Sequence, residues 1–259
     1  MIVTKEEKRE TMDTTSYVVL SRQIGLFRQM DVVANNIANV GTDGYRSESV
    51  VFKEYLSGTG DKKRKVSFTQ DAQTVTNTKQ GAIEPTGRAL DAAIDGKGYF
   101  IVSTPIGDRY TRVGRFHVDP QGSLVNAQGN LLSGRGSQII FSPGDHDIKI
   151  KDDGTITAKA PGSIADEIRG QLDIVKFADE KALRKNANGL YSTDLPYEQA
   201  VLNEDFRIVG ASIEKSNVNP TSELTQMIKI NRAVGSTGKF MNEMHEMYRR
   251  TVTTLSKQN

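Results

Sequence analysis

PTSELTQMIKINRAVGSTGKFMNEMHEMYRRTVTTLS, residues 220–256, carries apolar side chains at helical spacing from end to end. Leu224, Met227, Ile228, Val234, Met241, Met244, Tyr248, Val252 and Leu255 trace one side of it. Steps of three and four residues bring such positions onto one face of a helix. The spacing is close to a heptad seam, interrupted where Asn231, Gly238 and His245 fall on inward positions. Asn219 can cap this helix, and Pro220 suits its first position, where the missing N–H leaves no bond unmade. At 1.5 Å per residue the element is about 55 Å long. Gly235 and Gly238 each cost about 1 kcal/mol relative to Ala in a helix interior; they weaken the middle or let a second helix come close. A helix of this kind needs a partner to cover its stripe.

A matching pattern lies near the other end of the chain, from about Thr14 to Ala38. Tyr17, Leu20, Ile24 and Phe27 follow the same spacing, and Leu26, Met30, Val33 and Ile37 continue it on a neighbouring stripe. Gly41 and Gly44 then stop the helix, which is about 37 Å long. Residues 1–11, MIVTKEEKRET, are polar and have no sustained period, and a second Met stands at Met12. They read as a disordered extension, or as a stretch ahead of the true start.

Between the helices the signals change to strands and turns. ALDAAIDGKGYFIVST places an Asp95-Gly96 turn before an apolar strand from Tyr99 to Val102, and YTRVGRFHV, residues 110–118, reads as a second strand. IKIKDDGTITAKA reads as a hairpin about Asp153-Gly154, and GQLDIVKF, residues 170–177, as a further strand. Gln121-Gly122, Gln128-Gly129 and Asn188-Gly189 supply more turns. The expected fold is mainly β: a central many-stranded domain over 57–215, flanked by an N-terminal helix and the segment after it over 12–56, and by a C-terminal helix over 216–259. The cheapest arrangement pairs the two helices in coiled-coil fashion, with Ile24, Phe27 and Ile37 against the Leu224 to Leu255 stripe, and exposes what remains to neighbouring copies.

Bulk properties exclude several classes. The chain has 259 residues, 36% hydrophobic and 25% charged, with a mean hydropathy of −0.48, which suits a body with much surface better than a compact enzyme core. A net charge of +2 gives no footprint for nucleic acid. The run Lys62-Lys63-Arg64-Lys65 reads as a solvated loop tip. Without cysteine there is no disulfide framework, no thiolate metal site and no thiol chemistry. No apolar run approaches the ~20 residues that span a bilayer, and no charged segment followed by an apolar one opens the chain. Leaving the cytosol would need a route without a cleaved Sec signal.

No catalytic constellation is visible. His117, His146 and His245 are far apart in sequence, so no helical metal pair exists. Ser133-Gly134-Arg135-Gly136 lacks the third glycine of a dinucleotide loop, and Asp145-His146-Asp147 and Asp152-Asp153-Gly154 lack the ligand spacing of a calcium loop. The expectation is a protein that is not an enzyme, with no cofactor, metal or small-molecule substrate. The unusual segment is ANNIANVGTDGYR, residues 34–46, with Asn35, Asn36 and Asn39 at a helix end. Asn35 and Asn39 are one turn apart and share a face. Amides both donate and accept, so they can satisfy a helix end or bridge to a neighbour.

MDVVANNIANVGTDGYR, residues 30–46, resembles the N-terminal signature shared by flagellar rod and hook proteins. EKSNVNPTSELTQMIKINRAV, residues 214–234, resembles the C-terminal segment of the same family, and AIDGKGYFIV, YTRVGRFHVDPQGSLV and LLSG resemble its central β domain. The likeness covers most of residues 13–257 in the expected order. The short stretch between Phe52 and Ala92 is most like the proximal-rod type; a distal-rod or hook-type axial protein is the alternative within the family, and a secreted β-rich adhesin-like module the alternative outside it. The resemblance implies a structural subunit of the basal-body rod, exported by the flagellar type III apparatus without a cleaved signal peptide. It implies residence in the rod across the periplasm, with other copies and neighbouring rod proteins as partners. The assembly interface expected from stripes and signature together is Leu20, Ile24, Phe27, Val33, Asn35, Asn36, Ile37, Asn39, Leu224, Met227, Ile228, Val234, Met241, Met244, Tyr248 and Leu255.

Overall fold

The computed structural model describes residues 5–58, 65–136 and 138–256. Helix α1 spans Lys5–Ala38 and helix α2 spans Pro220–Ser256. α2 begins as its sequence dictates. The Asn219 side-chain oxygen accepts the Ser222 N–H at 3.1 Å, and the Asn219 carbonyl accepts that of Glu223 at 3.1 Å. α1 begins earlier than its apolar period suggests, so the expected disorder of 1–11 is corrected for residues 5–11, which are helical. KEEKRET is rich in Lys, Glu and Arg, which enter a helix at little conformational cost without any stripe. Residues 1–4 of that extension, and 62–64 of the basic run, lie outside the described residues.

The chain forms two compact units that alternate along the sequence. One holds α1, α2 and the stretch Glu48–Val75; the other holds Asn39–Ser47 and Thr76–Val218. This differs from contiguous domains: 39–47 belongs with the strand-rich unit, and the boundary expected after residue 56 falls inside a strand.

In the first unit, β1 (Glu48–Gly58) and β2 (Lys65–Thr76) pair with each other as a two-stranded sheet. α1 packs on α2 and on β1. The covered side of α2 is Met227, Ile230, Val234, Thr237, Met241 and Met244, in alternating steps of three and four. Ile230 is 4% exposed. The seam therefore runs through Ile230 and Thr237, while Asn231 and His245 point to solvent. On α1 the covered side is Val18, Gly25, Gln29, Val33 and Asn36.

The second unit is built from short strands: β3 (Ile83–Pro85), β4 (Ala92–Gly96), β5 (Tyr99–Thr104), β6 (Gly107–Thr111), β7 (Phe116–Val118), β8 (Leu124–Asn126), β9 (Leu131–Leu132), β10 (His146–Ile150), β11 (Thr155–Lys159), β12 (Asp166–Gln171), β13 (Ile174–Lys176), β14 (Arg184–Lys185), β15 (Leu190–Ser192), β16 (Glu198–Gln199), β17 (Phe206–Gly210) and β18 (Ser212–Glu214). The largest sheet runs β14-β15-β6-β5-β9-β8-β7, with β13 joining β5 to β16; β10-β11-β12 form a second sheet, and β17 pairs β4 as β18 pairs β3. β5 shows why the unit holds together. Successive side chains of a strand point to opposite faces. Phe100 and Val102 enter a core with Ile94, Phe116, Leu132, Ile156 and Ile208, while Tyr99 and Ile101 enter another with Tyr110, Val175, Phe177 and Tyr191.

The hairpin expected at Asp153-Gly154 is present as β10 and β11, with Ile150 opposite Ile156 and Gly154 at φ +81°. Two expected strands are broken. YTRVGRFHV divides into β6 and β7, because Arg112 turns inward and Gly114 lies so close to Ala92 that a Cβ would stand 1.6 Å from its carbonyl oxygen. GQLDIVKF divides into β12 and β13, which lie in different sheets.

Candidate assembly surfaces and the signature segment

The two segments that resemble the terminal signatures of rod and hook proteins meet inside the strand-rich unit. The Gly44 N–H donates to the Glu214 carbonyl at 2.7 Å, and the Asn217 N–H to the Tyr45 carbonyl at 3.2 Å. The Ser47 N–H donates to the Asn217 side-chain oxygen at 2.7 Å, and the Asn217 amide nitrogen donates to the carbonyls of Asn77 and Lys79. Lys215 bridges to Asp43 at 2.9 Å. Gly44, rather than Gly41, is the position that demands glycine: its φ is +64°, and a Cβ there would stand 2.7 Å from the Arg112 carbonyl carbon, whereas a Cβ on Gly41 meets nothing.

This zipper delivers Arg46 to a buried polar cluster. Its guanidinium donates to Glu180 at 2.9 Å and to the Tyr99 hydroxyl at 3.0 Å, and it lies 4.0 Å from Glu214. The Tyr99 hydroxyl donates to Glu180 at 3.0 Å. Arg112 approaches Glu214 at 3.4 Å and donates to the Gly96 carbonyl at 2.8 Å. Two guanidinium and two carboxylate groups thus balance in a site where both arginines are buried. Burial opposes the charge on Arg46, but Tyr99, Glu214 and Glu180 more than offset it and raise its pKa. Burial, followed by repulsion from Arg46, lowers that of Arg112. Burial also pushes the Tyr99 phenol up, so it remains a neutral donor. The sequence reading missed these five residues. The available signal was an arginine inside each of two quoted motifs, GYR and YTRVGRF, with a glutamate opening EKSNVNP.

The expected assembly residues divide by environment. Leu20, Ile24 and Phe27 are 45%, 49% and 45% exposed, and Asn35, Leu224, Ile228 and Tyr248 are also exposed. Ile37, Asn39, Met227, Val234, Met241 and Met244 are half-buried, and Val33 is 6% exposed. The side chain of Leu255 lies outside the described residues. The expected packing of Ile24 and Phe27 against α2 is corrected, since both face solvent. At 100° per residue the Tyr17-Leu20-Ile24-Phe27 stripe stands about 150° round α1 from the covered side. Asn36, expected at the assembly interface, is 1% exposed within the chain: its amide accepts the Glu48 N–H at 2.9 Å and donates to the Glu48 carbonyl at 2.8 Å, which fixes the start of β1.

His117, His146 and His245 are all exposed, and among the described residues no group of His, Asp and Glu could hold a metal ion.

Known proteins show the same order of segments. The family described as flagella basal body rod protein matches residues 17–46, the FlgE/F/G D1 domain of flagellar hook protein matches 93–158, and the C-terminal segment of flagellar basal body rod FlgEFG protein matches 210–254. The flagellar basal-body rod protein FlgF of Caulobacter vibrioides is 36% identical over 96% of this chain and 100% of its own length. The chain belongs to the flagellar basal-body rod proteins, of the FlgF type. FlgF of Mesorhizobium japonicum is 31% identical over 96% of this chain and all of its own length. FlgG of Bacillus subtilis is 32% identical over 86% of this chain and 92% of its own length. The chain is accordingly a structural subunit of the basal-body rod and not an enzyme. The matched stretch 17–46 runs through α1 and ends on Arg46, so the family's N-terminal segment includes both the exposed stripe and the anchor of the buried cluster.

Proposed function

We propose that this chain builds the proximal rod by polymerising through its two terminal helices, and that the rod so formed passes torque along its axis. The observation that carries this reading is the uncovered stripe of α1. Tyr17, Leu20, Ile24 and Phe27 lie in solvent on a helix whose other side is already occupied, and an apolar row of this kind on a soluble chain marks a contact surface. α1 and α2 pair within the chain in coiled-coil fashion; the alternating steps of three and four on α2 support that pairing. The remaining face of α1, with Leu224, Ile228 and Tyr248 of α2, meets other copies and neighbouring rod and hook proteins. The unit holding both helices is the polymerising part. A head-to-tail contact that does not close yields a helical filament, and close-packed helices resist torsion. The chain reaches the periplasm through the flagellar type III apparatus without a cleaved signal, and a cysteine-free sequence forms no stray cross-links there.

The test is Phe27→Asp. Placing a carboxylate where apolar surface is to be buried removes roughly 1.5–3 kcal/mol of burial and adds several kcal/mol of charge desolvation, at every subunit. Swimming is lost, while circular dichroism of the purified chain keeps its strand signal. A variant that is exported, assembles and supports swimming overturns the reading.

A further inference from the structure

Three of the seven methionines of the chain and one of its three histidines fall within residues 241–247, MNEMHEM. All lie on α2. We propose that Met241, Met244 and His245 form a site for a soft monovalent metal ion of the Cu(I) class, with Met247 as an additional thioether. Met241 and Met244 also line the covered side of α2, but the site does not draw on the exposed α1 stripe that carries the assembly reading.

The argument begins with the helix. Residues three and four apart are surface neighbours, with Cβ atoms about 5–6 Å from one another. Met241 therefore has both Met244 and His245 beside it one turn on, and Met247 stands one turn beyond Met244. At 100° per residue, Met244, Met241 and His245 share an arc of about 100°. Methionine has three rotatable bonds and a polarisable sulfur, so two Sδ atoms and one imidazole nitrogen can converge without any change in the backbone. Met241 and Met244 are half-buried, whereas His245 and Met247 are exposed, so the site has an apolar side and an open side for entry.

The donor set selects the ion. Thioethers are soft ligands that favour Cu(I), whereas oxygen and multiple imidazoles favour harder divalent ions. The chain has no cysteine, so its softest donors are the methionines. One imidazole beside two thioethers does not make a zinc site, which wants four nitrogen, thiolate or carboxylate ligands. The absence of a histidine and carboxylate cluster among the described residues agrees with that exclusion.

The probe is Ag(I), supplied as nitrate in chloride-free buffer, which has the same ligand preference and no redox step. The full chain is titrated with methionine methyl groups isotopically labelled for NMR. The methyl signals of Met241, Met244 and Met247 and the imidazole of His245 shift together and saturate at one ion per chain; Met30 and Met227, on the same helix pair, are the internal controls and do not move. Met241→Leu and Met244→Leu keep volume and helix propensity, and each weakens binding at least about tenfold, the scale on which even an outer contact matters at a metal site. His245→Asn does the same, and Zn(II) produces no saturating shift. The proposal is overturned if Ag(I) moves all methionines alike or none, if the leucine variants, shown helical by circular dichroism, bind as the parent does, or if Zn(II) binds as tightly as Ag(I).

Discussion

Arg46 carries a full charge into a place with almost no solvent, and what it contributes is set by what remains when it is removed. Breaking one partner out of a buried ion pair costs about 3–5 kcal/mol, because the opposite charge stays behind without compensation. In Arg46→Met, Glu180 loses its 2.9 Å donor, and Glu214 keeps Arg112 and the Gly81 N–H at 3.1 Å. We expect the unfolding free energy of the strand-rich unit, from urea titration read by strand circular dichroism, to fall by that amount, with the midpoint falling in proportion. Adding Glu180→Gln to the same chain should recover part of the loss, since a neutral amide is cheaper to bury than a carboxylate. A midpoint unmoved by Arg46→Met would show that the cluster adds nothing net. No periodicity in the sequence marks such a residue. Arg46 and Glu214 stand at opposite ends of the strand-rich unit's sequence, and an ion pair formed across that separation leaves no local pattern for a reader of sequence to find.

At the scale of elements, apolar period identified both helices and came within a residue or two of the limits of α2. It could not say which face is inside. α1 carries two apolar stripes, and their spacing is the same whether a neighbouring helix or water lies opposite. The covered side, Val18, Gly25, Gln29, Val33 and Asn36, shares only Val33 with either stripe, so apolar spacing alone does not mark it. α2 gives a paired test of this assignment. Ile230→Ala opens a cavity in the seam and should cost about 2–5 kcal/mol. Ile228→Ala, 53% exposed, should cost less than about 0.5 kcal/mol, as surface changes do. Thermal melting followed by helical circular dichroism separates the two; equal shifts would place the seam elsewhere. The strands were legible where a turn pair fixes a hairpin, as at Asp153-Gly154. They were misread where Arg112 or a close backbone approach at Gly114 interrupts an alternating run.

At the scale of the whole molecule, each unit draws on distant parts of the chain, a connectivity that a linear run of segments does not display. β4 pairs with β17, β3 with β18, and Gly44 to Ser47 with Glu214 to Asn217. That connectivity sets a timetable. Synthesis proceeds from the N-terminus at about 5–20 residues per second, so Arg46 exists for roughly ten to thirty seconds before Glu214 does, and α1 waits longer still for α2. Contacts that join distant residues are slow to form because loop closure must come first. A chain ending after Asp205, which lacks β17, β18 and α2, should show no cooperative unfolding transition in urea; a sharp transition in that fragment would mean the first four-fifths can close alone. While the last segment is missing, neither unit has all of its parts, and the nascent polypeptide holds no finished fold until nearly its final residues.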